Sequence, residues 1–313
     1  MKICIIGGSG HYRYTLKQLK NHTLIGIAPG TPDEDLSKLR ASLQDADLSF
    51  KEVEDYRSLL DEAEVAVVNT QFNLNAVITM ECLERGIHVF SEKPLATDLE
   101  QLARLRESAA CSKALVAAMF GINYTPWFLT VKEAIKKIGT IRLINAQKSY
   151  RLGTRPAFFN SKKTFGGLIP WVAIHAISWI HDLTDAKAIR TSAMVNNEYN
   201  FGHGDLEMTA LCQFELEGGI LASVTADYFR PNGAPTKDDD RVRVVGTKGI
   251  VECIGNTVTL IDEETATQLP LLPAADVFEL FLRRIGGEEV GVSPEESFYI
   301  TELALKADQL ATK

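Results

Sequence analysis

The sequence predicts an α/β chain in two domains: a parallel-sheet domain over residues 1–121, then an α+β domain on a mostly antiparallel sheet over residues 122–313. Three observations predict it. Up to about residue 120, short β-branched runs alternate with stretches of helical period, the rhythm of βαβ units. Beyond residue 121 the strands lengthen, alternate in polarity and are joined by glycine-bearing hairpin signals. With 313 residues and 45% hydrophobic content, the chain can fill two cores.

The elements follow in order. Strands are expected at KICII (2–6), TLIGIA (23–28), EVAVVN (64–69), IHVFS (87–91) and ALVAAM (114–119). Ala76, Met80 and Leu83 recur at helical spacing, and Gly86 marks the stop. Thr97 and Glu100 read as a capping box, with Leu99, Leu102, Ala103 and Leu105 as the buried stripe behind it. In the second half a helix is expected from Pro126 to Ile138. Hairpins are expected at Gly218-Gly219, at GTKG (246–249) and at Gly255-Asn256. Ser293-Pro294-Glu295-Glu296 opens the last helix with an N-cap serine, a first-turn proline and a capping-box glutamate.

Charge and cysteine usage narrow the function. Acidic side chains number 41 against 33 basic ones, and the net charge of −8 repels phosphate polymers, so nucleic acid is not an expected partner. Cys4, Cys82, Cys111, Cys212 and Cys253 are odd in number and widely spaced. That fits neither a disulfide framework nor a zinc ribbon and points to a reducing compartment. KICIIGG is a strand cut short by glycines rather than a signal-peptide core, and no apolar run approaches membrane-spanning length. A cytoplasmic location is therefore expected. Asp238–Asp240 reads as a solvated loop, and no metal site is expected.

IIGGSGHYRYTL (5–16) closes the first strand and opens a helix. Glycines let backbone amides approach a pyrophosphate, and a helix N-terminus adds partial positive charge. The fit to G-x-G-x-x-G is imperfect: Gly8-Ser9-Gly10 supplies one pair but Arg13 takes the third place, while a start at Gly7 puts Ser9 and Tyr12 in the later positions. Placement after the first strand of a βαβ unit makes dinucleotide binding the expected role, with Gly7, Gly8, Ser9, Gly10, His11 and Tyr12 around the pyrophosphate. The ribose-reading carboxylate usual about 20 residues later is missing. The second strand ends at Ala28-Pro29-Gly30-Thr31, and Asp33, Glu34 and Asp35 are expected to open the next helix. An uncharged strand end with no arginine placed to clasp a 2′-phosphate leaves NAD and NADP both open.

VFSEKPLATD (89–98) ends an apolar strand with an acid, a base and a proline before starting a helix. Glu92, Lys93 and Pro94 thus sit in a strand-to-helix loop at the carboxyl end of the sheet, where open parallel sheets bind ligands. An ammonium there can stabilise the alkoxide that hydride transfer creates. Pro94 biases Lys93 toward extended geometry. As isolated residues, the same triplet reads as a surface lysine in a capping loop.

GIHVFSEKPLATDLEQL (86–102) resembles the E-K-P signature of the Gfo/Idh/MocA family of glucose-fructose oxidoreductases and inositol dehydrogenases. GTKGIVEC (246–253) resembles that family's late hairpin, and SPEESFYITELALKADQL (293–310) its C-terminal helix. The resemblance implies an N-terminal Rossmann domain binding NAD or NADP and a C-terminal α+β domain on a large open sheet. It also implies oxidation or reduction of sugars, cyclitols or related hydroxy compounds, and homodimers or homotetramers assembled through that sheet. TFGGLIPWVAIHAISWIHDL (164–183) resembles the family's helix with a catalytic histidine after a Gly-Gly pair, and His175 takes that position. Helical spacing puts Trp171, His175, Ser178 and Asp182 on one face and Val172, Ala176, Trp179 and Leu183 on another. His181, six residues on, does not complete a zinc clamp with His175.

Some positions depart from the family pattern. Trp171 stands where the family usually has an aspartate, Ser178 where a further aspartate is frequent, Tyr124 where many members carry arginine and Asn75 where many carry histidine. An indole at 171 is suited to stacking on a sugar ring. The resulting expectation is an NAD(P)-dependent oxidoreductase in which His175 accepts the hydroxyl proton and Lys93 steadies the oxyanion. Thr70, Asn75, Glu92 and Lys93 would flank the cofactor, and Lys93, Asn123, Trp171 and His175 would face the substrate. Trp171 keeps two alternatives open: a non-catalytic NAD(P)- or sugar-responsive protein, and an eliminase or epimerase that uses bound NAD transiently.

Overall fold

The computed structural model describes residues 1–311. The first half runs β1 (Lys2–Ile6), α1 (Leu16–Leu19), β2 (Thr23–Ala28), α2 (Ser37–Asp45), β3 (Lys51–Glu52), α3 (Arg57–Leu60), β4 (Val65–Val68), α4 (Asn75–Glu84), β5 (His88–Ser91), α5 (Leu99–Cys111) and β6 (Val116–Ala118). It continues with α6 (Pro126–Ala134), β7 (Ile141–Tyr150), α7 (Lys162–Phe165), α8 (Ile174–Thr184), β8 (Ala188–Asn196), β9 (Thr209–Leu216) and β10 (Ile220–Asp227). β11 (Asp238–Gly246), β12 (Gly249–Ile254), β13 (Thr257–Ile261), β14 (Ala266–Gln268), α9 (Val277–Ile285) and α10 (Pro294–Ala311) close the chain. Residues 1–121, 163–166 and 276–301 form one compact unit; residues 122–162, 167–275 and the stretch from Glu302 form a second.

The first unit is a parallel sheet in the order β3-β2-β1-β4-β5-β6. Every residue from Ile3 to Ile6 and from Val65 to Val68 is buried, as expected of central strands covered on both faces. Strand order reverses between β1 and β4, which defines a switch point at their carboxyl ends. The loops there are tied together: Asn69 N–H donates to Ile6 (2.7 Å), Ser9 N–H to the Asn69 carbonyl (2.7 Å) and Gly7 N–H to Ala28 (2.8 Å). After the glycine loop comes a 3₁₀ turn, Tyr12–Tyr14, then the four-residue α1. The Thr15 hydroxyl donates to the Tyr12 carbonyl (2.7 Å), a side-chain bond that competes with helical continuation. The helix expected to open at this loop is thus split into a 3₁₀ turn and a four-residue helix, which contributes little macrodipole there.

Asp98, not Thr97, caps α5: it is extended (φ −146°) and its carboxylate accepts from Gln101 N–H (2.8 Å). Only the residue directly before the first helical one can place its side chain over that amide, and Leu99 is the first. Leu102 and Leu105 are buried, whereas Ala103 faces solvent and Leu99 is half-buried. α9 returns to β5, setting Phe278 and Phe281 5.2 and 5.3 Å from the Phe90 ring, with Asp276 as N-cap. Ser293 and Glu296 close the expected capping box on α10, through Ser293 N–H to Glu296 (2.7 Å) and Glu296 N–H to Ser293 Oγ (3.1 Å).

The second unit is built on an eight-stranded sheet, β14-β13-β12-β11-β7-β10-β9-β8. β7 and β10 pair in parallel; every other neighbouring pair is antiparallel. The three expected hairpins connect β9 to β10, β11 to β12 and β12 to β13. Gly255 and Asn256 both take positive φ (56° and 66°), as the tight turn between β12 and β13 demands. α6 and α8 cover one face of the sheet, burying Ala146, Cys212, Val224 and Val251. The opposite face leaves Met194, Leu221 and Ile254 exposed.

Asp238–Asp240 is not a solvated loop. It begins β11, and register puts Asp240 opposite Lys148 of β7. The Lys148 ammonium, fully buried, reaches Asp240 (2.5 and 2.7 Å) and Asp238 (3.2 Å), while Asp239 pairs with Arg230 and Arg241. Burial pushes the Asp240 carboxyl up to about 6, with Lys148 opposing. Among the described residues no cluster of metal-ligating side chains occurs, and no helix is long and apolar enough to cross a membrane. Removing one partner of a buried pair leaves an uncompensated charge. Lys148→Met is accordingly expected to lower stability by about 3–5 kcal/mol, read as a shift of the urea midpoint. Adding Asp240→Asn should recover part of the loss.

Candidate active site

The glycine loop lies tight on the ends of β4 and β5. A Cβ at Gly7 (φ 83°) would come within 2.6 Å of the Thr70 backbone, and one at Gly10 within 2.2 Å of Glu92 Oε2 and 2.7 Å of Asn69 Oδ1. Gly7, Gly10, Thr70 and Glu92 are thus brought together. Glu92 is fully buried; its carboxylate accepts from His11 N–H (2.5 Å) and from the Lys93 amide (3.0 Å), and pairs with His11 Nδ1 (2.7 Å). Burial acts against its charge, but His11 and then Lys93 outweigh that and hold the carboxyl below the ordinary range.

Lys93 is 1% exposed and joins Pro94 through a cis peptide. The Asn75 amide donates to the carbonyls of Glu92 (3.2 Å) and Pro94 (3.0 Å), so it holds the backbone of the E-K-P segment. Tyr12 is buried toward α2, its hydroxyl 3.3 Å from Ser42 Oγ, and His11 stacks on Tyr14 at 5.4 Å.

Two residues at this edge escaped the sequence reading. None of the acids Asp33, Glu34 and Asp35 lies in the first turn of α2, whose N-cap is Leu36: Asp35 accepts from Ser37 N–H one residue further out, and Glu34 turns back onto the glycine loop. Its Oε1 accepts from Gly8 N–H (3.0 Å) and Ser9 Oγ (2.7 Å), and its Oε2 from Gly30 N–H (2.8 Å) and Thr70 Oγ1 (2.8 Å). The Pro29-Gly30 turn just before a run of acids was the available signal. Asn69 is fully buried at the switch point, and neither its Oδ1 nor its Nδ2 has a hydrogen-bond partner. A polar residue ending the apolar run VAVV was its signal. A glycine cradle that no Cβ fits, beside an orphaned buried amide, suits a dinucleotide pyrophosphate and ribose.

In the second unit, His175 is fully buried on α8, which follows a π-helical turn over Ile169–Ala173. Such turns widen the backbone and recur at functional sites. The Ser178 hydroxyl lies 2.7 Å from the His175 carbonyl and 2.9 Å from Asn123 Oδ1, and Asn123 Nδ2 donates to Asp182 (3.2 Å), itself paired with Lys132. Asn123, Ser178 and Asp182 therefore form one network along the helix that carries His175. Trp171 is 8% exposed and meets Phe159 edge-on at 6.1 Å, so most of its indole is packed. Val172, Ala176, Trp179 and Leu183 are all buried, Trp179 edge-on against Trp127 at 5.1 Å.

The turn before this helix is held by charge. Leu168 N–H donates to Glu207 (2.8 Å), and Glu207 and Asp308 share the Lys162 ammonium at 2.5 and 2.8 Å. Burial and then the neighbouring Glu207 push the Asp308 carboxyl up to about 6.

Residues 1–120 match the oxidoreductase family described as an NAD-binding Rossmann fold, and residues 128–252 match the GFO/IDH/MocA C-terminal domain. The chain belongs to the Gfo/Idh/MocA oxidoreductase family. A solved structure from Thermotoga maritima, described at the level of an oxidoreductase, is 47% identical with a TM-score of 0.98 over 100% of this chain and 98% of that one. YrbE, an uncharacterized oxidoreductase of Bacillus subtilis, is 26% identical over 223 residues, 68% of this chain and 62% of that protein. The inositol 2-dehydrogenase/D-chiro-inositol 3-dehydrogenase of Lactiplantibacillus plantarum is 28% identical over 193 residues, 59% of this chain and 52% of that protein.

Glu92 sets a pH dependence. Its folded pKa lies below the unfolded value of about 4.3, so its stabilisation is complete above that value and lost as pH falls through the folded one. Glu92→Gln is expected to lower the urea midpoint near neutral pH and to flatten its decline below about pH 4.

Proposed function

We propose that the chain is an NAD(P)-dependent oxidoreductase that transfers hydride between nicotinamide and a hydroxyl or carbonyl of a sugar, cyclitol or related small molecule. The observation that carries this reading is the Glu92 carboxylate, which bonds His11 of the glycine loop and the Lys93 amide at once, so that the ammonium-bearing loop and the nucleotide loop are one assembly. The polyol named for the Lactiplantibacillus relative supports the substrate class. When bound, the nicotinamide supplies the hydride acceptor or donor. In oxidation the substrate C–H electron pair leaves with hydride, the O–H proton passes to the His175 imidazole, and the Lys93 ammonium stabilises oxygen charge as the carbonyl forms. Gly7–Tyr12, Asn69 and Thr70 hold and orient the dinucleotide, with Glu92 and Asn75 setting the E-K-P loop. Asn123 and Trp171 contribute to the substrate surface.

Trp171, packed where the family usually has a carboxylate, favours a second reading as a non-catalytic binding protein. Both readings require dinucleotide binding, and turnover separates them. With polyols and keto-sugars and either reduced or oxidised cofactor, Lys93→Met is expected to lower kcat/KM about 10²–10³-fold, and His175→Asn by at least about 10²-fold. Loss well below additive in the double variant would mark one shared step. Wild-type binding without turnover selects the binding protein, whereas turnover indifferent to Lys93 removes that residue from the mechanism.

We also propose a reducing, cytoplasmic setting, consistent with five cysteines that form no disulfide, and a homodimer or homotetramer formed through the open sheet face. Met194, Leu221 and Ile254 on that face supply apolar area. Light scattering is expected to give two or four chains per particle, and Leu221→Asp to shift the mass toward one.

A further inference from the structure

Glu34 carries an inference that deepens the dinucleotide-binding reading and rests on it. We propose that Glu34 reads the adenosine ribose and makes this chain selective for NAD(H) over NADP(H). The second strand ends without an acid, so the residue type that usually grips the ribose hydroxyls is absent from its usual place. Glu34 brings a carboxylate to the same edge from the loop beyond. Two of its four donors, the amides of Gly8 and Gly30, are backbone and anchor one oxygen each. The other two, the hydroxyls of Ser9 and Thr70, sit on rotatable side chains and take one further site on each oxygen. A carboxylate has about four such sites, so the group is satisfied as it stands. The two hydroxyl donors are also the part a vicinal diol can replace, O–H for O–H, with the amide anchors unchanged.

A 2′-phosphate cannot make that exchange. It offers only acceptors to an acceptor and adds about −1.5 to −2 charge beside it. The surroundings reinforce the discrimination. A cavity of about 320 Å³ opens beside Pro29 and is lined by Glu34, Asp35, Glu52 and Glu54 against one cation, Arg40. Both Nε and Nη2 of Arg40 bond Glu52 (2.9 and 2.7 Å), so its fork is engaged away from any incoming phosphate. Four carboxylates against one guanidinium leave this cavity negative.

The test is calorimetric titration of the full chain with NADH and with NADPH, which reads binding without turnover. Wild type is expected to bind NADH at least about tenfold more tightly, and Glu34→Gln to lose about tenfold in NADH affinity and bring the two cofactors within about threefold. Glu52→Gln, which releases Arg40 and leaves the glycine loop intact, is expected to tighten NADPH about threefold or more. That second variant serves if circular dichroism shows Glu34→Gln misfolded. Equal or tighter NADPH binding by wild type overturns the proposal, as does a cofactor ratio unmoved by both variants, while the proposed activity would stand. Binding of neither cofactor would remove the dinucleotide reading itself.

Discussion

A carboxylate with no access to water is the constraint from which the nucleotide-facing edge is built. Glu92 ends β5 inside the protein, where an unpaired charge would be costly, and it is held there by donors from two chain segments. One is its own neighbour, Lys93; the other is His11, at the far end of the glycine loop. Because Gly10 carries no side chain, the loop descends until its backbone meets the acid. Asn75 then fixes the carbonyls on either side of Lys93, leaving the lysine backbone little freedom. In the proposed role of meeting a developing oxyanion, this lysine would benefit from being placed in advance, since ordering it during reaction would raise the barrier.

The opposite side of the same loop repeats the device with a different acid. Glu34 is only half-buried, and it gathers hydroxyls as well as amides, so it can exchange partners where Glu92 cannot. A fully enclosed carboxylate suits a fixed scaffold; a partly open one suits a ligand-reading role. The glycine loop therefore lies between one anion that positions it and another that is poised to bond what it carries.

In the second unit, buried and part-buried charges tie strands and turns together. Lys148 ties β7 to β11, and Lys162, shared by Glu207 and Asp308, anchors the turn from which the His175 helix starts. Burial, and then the neighbouring Glu207, raise the Asp308 carboxyl against the opposing pull of the half-buried Lys162: the native state favours its proton more than the unfolded chain does. Its contribution to stability therefore falls as pH rises from about 4 toward about 6. The π turn at Ile169–Ala173 packs Trp171 on Phe159, and the network of Asn123, Ser178 and Asp182 runs along the helix that follows.

Periodicity and turn chemistry made most of the architecture legible, because they are local. β1 and β2 fall where KICII and TLIGIA lie, the three glycine hairpins join the strands expected, and the Ser293 box caps α10. The E-K-P segment and the helix of His175 were likewise visible as motifs, and the family is the one they suggested. Other features depend on residues far apart in sequence and had no local signature. Nothing around Asp238–Asp240 announces that Lys148 waits on the neighbouring strand, and nothing near residue 276 announces that α9 packs on Phe90. Glu34 read as a helix opener because acids favour first turns; only the folded loop shows Gly8, Ser9, Gly30 and Thr70 converging on it. The sequence by itself determined which segments become strands, helices and turns, since backbone preference and hydrophobic period act over a few residues. Tertiary structure decided which carboxylates are enclosed and by whom, since a buried charge must find its partners in space, whatever their distance along the chain.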